Sequence, residues 1–172
     1  MHSRDPERPR GSRRVARVTL PLPPRGKRIA YVSTYPPREC GLSTFTRDLS
    51  SAVDTLGVFR HPTIIAVHDP EIYHGPYAHE VRFMLLQHDR KSYVQAANFM
   101  NQSDVALVSL QHEFGIFGTD SPPGTWDGAY ILDFLRTVQK PVVTTLHTVL
   151  ERPNARQTAV FREIGKLSAR LV

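Results

Sequence analysis

The stretch Arg28-Ile-Ala-Tyr-Val-Ser-Thr-Tyr-Pro-Pro-Arg-Glu-Cys-Gly-Leu-Ser-Thr-Phe-Thr46 sets the reading of the whole chain. Residues 28–34 form a short apolar run halted by Pro36-Pro37, which is the length and stop signal of a buried strand. Residues 43–56 then take up a helical period. Phe45, Leu49, Ala52, Val53 and Leu56 recur at three- and four-residue spacing, with Ser43 or Thr44 as the N-cap and Gly57 as the stop.

The same alternation continues outward. Residues 62–67 and 80–85 read as strands, separated by a His-, Pro- and Gly-bearing loop over 68–79. Asp89 caps a helix reaching Met100, with Tyr93, Ala96, Ala97 and Met100 as its inner stripe. Residues 104–110 are the clearest strand of all. A loop over 111–124 leads to a helix over 126–138, a strand over 141–146 and an amphipathic helix over 155–167. Residues 168–172 look like the opening of a sixth strand.

Short apolar strands alternating with longer helices specify βαβ units and a parallel sheet. Strands buried on both faces read as continuous apolar runs, as these do. The expected fold is therefore α/β: a doubly wound, mainly parallel Rossmann-like sheet with helices on both faces. Right-handed crossovers then place the loops after the strands on one edge, where ligands bind in this architecture.

The chain has 172 residues, of which 40% are apolar and 22% charged, the composition of one globular domain. Its formal charge of +6 is unevenly spread. Residues 1–28 hold nine Arg and Lys against Asp5 and Glu7, a net +7, and the remaining body is close to neutral. The body thus offers no basic face for nucleic acid. Residues 1–27, with Pro6, Pro9, Pro21, Pro23 and Pro24, are expected to be a disordered basic arm. A weak electrostatic hold on an anionic membrane surface or on a partner is the other role open to it. One cysteine, Cys40, excludes an internal disulfide and fits a reducing, cytoplasmic setting. No run approaches the length of a membrane span.

Three loops share the carboxyl edge of such a sheet, and each carries chemistry. In the first, Gly41 lies beside a helix start and either relieves a tight turn or lets an anion approach the Gly41, Leu42 and Ser43 backbone. The second begins Gln111-His112-Glu113, an amide, an imidazole and a carboxylate that either shape the turn or face a ligand. The third carries His147, just past a buried strand, as a core histidine or a cleft residue. Neither GxGxxG nor GxxxxGK[ST] occurs, and with no HExxH or CxxC no metal site is expected. A Cys40–His147 nucleophile pair is a third, weaker arrangement on the same edge.

Read together, Ser33-Thr-Tyr-Pro-Pro-Arg-Glu-Cys-Gly-Leu-Ser-Thr-Phe-Thr46, Leu110-Gln-His-Glu-Phe-Gly-Ile-Phe-Gly118 and Pro141-Val-Val-Thr-Thr-Leu-His-Thr148 resemble the amino-terminal half of the family 4 (group 1) retaining glycosyltransferases. The resemblance covers residues 28–172 in three ordered blocks. It implies a GT-B enzyme whose first Rossmann-like domain mainly holds the sugar acceptor and whose second binds the nucleotide-sugar donor. It implies that His147 is the active-site histidine that meets the donor sugar. The Gly41 loop would lie near the donor phosphates, and Gln111, His112 and Glu113 would line the cleft. Transfer would retain the anomeric configuration and need no metal or other cofactor. The donor-binding domain has no counterpart here, so a piece inactive alone is expected. The alternative is a Rossmann-like binding or regulatory module without catalysis.

Overall fold

A computed structural model describes residues 26–172. The basic arm expected over residues 1–27 lies, apart from Gly26 and Lys27, outside the described residues.

Six parallel strands make one sheet: β1 (Arg28–Ser33), β2 (Thr63–His68), β3 (Val81–Leu86), β4 (Val105–His112), β5 (Val142–Leu146) and β6 (Arg170–Leu171). Their order is β3-β2-β1-β4-β5-β6, with every neighbouring pair parallel. The helices among the described residues are α1 (Gly41–Asp54), α2 (Arg90–Asn101), α3 (Ile131–Thr137) and α4 (Ala155–Leu167), and a 3-10 turn spans Phe114–Ile116. The chain runs outward from β1 to β3, then returns to β4 on the other side of β1. The doubly wound parallel fold is therefore present, and its switch point lies between β1 and β4.

The two faces of the sheet are covered unequally. On one, Tyr93, Ala96, Ala97 and Met100 of α2, Ile131 and Phe134 of α3, and Val160 and Ile164 of α4 pack over Val32, Ile65, Val108 and Leu110. On the other, Leu49 and Val53 of α1 pack over a smaller group formed by Ile29, Tyr31, Tyr35, Ile64 and Ala66. Asp89 caps α2 through Lys91 N, and Asn154 and Gln157 close a capping box on α4.

Two elements depart from the sequence pattern. α1 begins at Gly41 with Cys40 as its N-cap, not at Ser43 or Thr44, and ends at Asp54, before the left-handed Gly57. Its buried residues are Ser43, Thr46 and Ser50, while Phe45 and Leu56 are exposed. The reason is a buried hydroxyl pair. Thr46 Oγ1 lies 2.8 Å from Ser33 Oγ on β1, and these short side chains bring the helix close to the sheet. α3 begins at Ile131, not near Trp126. The Asp127 carboxylate accepts from Ala129 N and Gly128 takes a left-handed φ of 62°, so a turn occupies the expected first helical residues.

Candidate functional site

At the switch point the chain leaves β1 and β4 toward opposite faces, and the gap between their loops opens at the carboxyl edge. A cleft of about 470 Å³ fills it, lined by Cys40, Gly41, Leu42, Phe45, Glu113, Ile116 and His147. All three loops singled out in the sequence contribute. Gly41, Leu42, Glu113 and His147 meet in this cleft, whereas Ser43, Gln111 and His112 do not line it.

Their placement has plain causes. Ser43 lies on the buried side of α1. β4 runs on through Gln111 and His112, so neither is a loop residue, and both are fully buried. Their side chains take opposite faces of the sheet, as successive strand residues must. His112 enters the aromatic layer under α4, with Phe114, Phe117 and Phe161 at ring distances of 5.1, 5.8 and 5.6 Å. Neither of its ring nitrogens has a hydrogen-bond partner among the described residues. Burial, with the nearby His147 adding to it, pushes its pKa down to about 4.

Gln111 acts on the cleft at one remove. Its amide Nε2 donates to Ser109 Oγ at 2.8 Å, which turns Oε1 toward His147 Nε2, also at 2.8 Å. The His147 backbone N–H donates to the His112 carbonyl, so the histidine is held by main chain and side chain together. The Phe45 ring meets the imidazole edge-on at 4.8 Å. Partial burial lowers the pKa of His147 and favours the neutral ring, against the opposing pull of Glu113.

Glu113 has two fixed partners. One oxygen accepts from Phe114 N at 3.0 Å, capping the 3-10 turn, and the other accepts from the Thr148 hydroxyl. It shapes the turn and faces the cleft at once. Opposite it, α1 has no side-chain cap among the described residues and no acidic residue in its first turn. Its free N–H groups and the helix dipole therefore present positive potential beside Gly41 and Leu42. Cys40 Sγ lies 3.2 Å from Thr34 Oγ1, and His147 Nε2 is engaged with Gln111, so neither is turned to a thiol–imidazole bond.

Phe45 is the wall that the sequence pattern hid. Its helical period assigns it to the core, but it stands four residues after Gly41 and so shares the cleft side of α1. Among the described residues, no group of three or more His, Cys, Asp or Glu could hold a metal ion, and no helix is long and apolar enough to cross a membrane.

Fold and site together define a doubly wound parallel α/β domain with a ligand-sized cleft at its switch point. No family model, curated protein or solved structure matches this chain.

Proposed function

We propose that this domain is the acceptor-side part of a retaining glycosyltransferase, forming one wall of a cleft in which a sugar passes from a nucleotide-sugar donor to a hydroxyl acceptor. The resemblance of three separate blocks suggests it. The observation that carries it is the meeting of those blocks: His147, oriented by Gln111, stands in the same cleft as the uncapped first turn of α1 and the carboxylate of Glu113.

Each group suits a part of the reaction. As the donor bond breaks, negative charge gathers on the departing diphosphate, and preorganised N–H donors are the least costly way to meet it. The first turn of α1 supplies them. His147 holds its proton on Nε2 toward Gln111, which leaves Nδ1 as an acceptor for a sugar hydroxyl. The cations that complete a donor site belong, in this reading, to a second domain.

Titration of the isotopically labelled chain with a panel of nucleoside-diphosphate sugars tests the reading by NMR. Shifts at the Gly41, Leu42 and Glu113 amides and at the His147 ring are expected. Perturbation confined to the opposite edge of the sheet, around Arg28 and Asp104, or none with any donor, overturns it.

A further inference from the structure

Across the Glu113 side chain from the His147 cleft lies a second chamber of about 330 Å³, walled chiefly by Glu113, Phe114, Trp126, Thr148, Leu150 and Gln157. Trp126 is 54% exposed, yet its loop is tied down on both sides. Its carbonyl accepts from Gln157 Nε2 at 2.9 Å. The adjoining Asp127 is buried and accepts from Ser121 Oγ at 2.5 Å and Ala129 N at 3.1 Å. A large aromatic surface left open on a tethered loop is a partly preorganised binding wall, because little loop freedom remains to be lost on binding.

The remaining walls narrow the ligand class. Among the described residues lining the chamber none is Lys, Arg or His, and Glu113 is the ionisable one, so a phosphate or carboxylate ligand would meet repulsion. A purely apolar ligand would cover the oxygens of Glu113 and Thr148 and return no hydrogen bond, which costs free energy. The oxygens of Glu113 are already aimed by Phe114 N and the Thr148 hydroxyl, and each keeps a further lone pair for an incoming donor. The chamber asks for a neutral molecule with an apolar face for the indole and hydroxyl donors on its rim.

We propose that this chamber binds the pyranose ring of a neutral glycoside, with the ring's C–H face against Trp126 and its hydroxyls donating to Glu113. Because Glu113 also lines the His147 cleft, a glycoside seated here lies next to that site. Its role as the accepting sugar rests on the glycosyltransferase reading, whereas its binding rests on these walls alone.

Trp126 is the chain's single tryptophan, so its emission reports directly on the chamber. The whole chain would be titrated with methyl glucopyranosides, mannopyranosides and galactopyranosides at millimolar concentrations. A saturable change in emission with at least one of them is expected, weakened roughly tenfold or more in Glu113→Gln, which removes a charge-assisted bond. Saturation-transfer NMR on the same glycoside follows binding in Trp126→Ala, where the signal should disappear. An unchanged thermal midpoint shows that each variant is folded. The proposal fails if no pyranoside gives a saturable change, or if either variant binds as the parent does. It also fails if uridine or guanosine diphosphate, or tetramethylammonium, gives the change and the glycosides do not. Donor binding is read at the Gly41 and Leu42 amides and glycoside binding at Trp126, so either reading can fail while the other stands.

Discussion

The Nε2 atom of His147 lies 2.8 Å from Oε1 of Gln111. One residue is exposed on the cleft and the other wholly buried in β4, so the bond ties the cleft edge of the domain to its buried centre. Since Gln111 spends its amide nitrogen on Ser109, its oxygen can only accept, and the imidazole tautomer is fixed with the proton on Nε2. Tautomer and ring direction are thus decided by a residue that no ligand in the cleft touches.

Gln111→Leu tests that relationship. The variant keeps the volume but loses both side-chain bonds, and stability to urea should fall by about 1–2 kcal/mol. The ¹⁵N shifts of the His147 ring should move from a single tautomer toward a mixture. Unchanged ring shifts would show that something other than Gln111 orients the histidine.

His112 should make the fold sensitive to acid. Its unfolded imidazole takes up a proton near the ordinary 6.5, but the folded one does so only at about 4. Above that window both states are neutral at this residue and pH has no purchase on it. Within the window the unfolded chain binds more protons, so stability declines as pH falls from 6.5 and levels off below about 4. The full span corresponds to about 3 kcal/mol. In His112→Leu this part of the acid limb should vanish, which urea midpoints at neutral pH and near pH 5 would reveal.

Gly118→Ala should be among the more damaging small substitutions. An added Cβ would stand 2.2 Å from the Gln87 carbonyl oxygen and 2.4 Å from Tyr130 Cδ2, so the backbone must shift. Overpacking of this kind costs about 1–3 kcal/mol. The damage should also spread, because buried Gln87 accepts from Arg38 beside the Gly41 loop and donates to the Gly115 carbonyl beside Glu113. Gly115→Ala is the control. A Cβ there meets nothing within 4 Å, and thermal unfolding should place it within about 0.5 kcal/mol of the parent.

On the proposed glycosyltransferase reading, His147→Ala in an enzyme that carries this domain should lower sugar transfer by roughly 10²–10³-fold, the loss typical of one preorganised transition-state partner. The fall should appear in kcat and kcat/KM together. Parent rates in steady-state assays would remove His147 from the reacting centre.

Much of the fold is legible in the residues themselves. The apolar runs that became β1, β2, β4 and β5, the Asp89 cap of α2 and the stripe of Tyr93, Ala96, Ala97 and Met100 all reflect local rules, and the structure follows them. So is the gathering of three loops on one rim, because parallel strands with right-handed crossovers leave no other arrangement.

What remained open were choices between two sides of the same element. Phe45 has the period of a core residue, but with Thr46 bonded to Ser33 across the β1–α1 connection it stands against His147. Trp126 carries a helical pattern that the Asp127–Gly128 turn overrides. Gln111 and His112 are neighbours on one strand. Which of them supports the cleft and which sinks among Phe114, Phe117 and Phe161 depends on where α4 covers the sheet. Sequence determined the periodicity, since that is a property of neighbouring residues. Tertiary structure decided the facing, since that depends on contacts between residues distant in the chain.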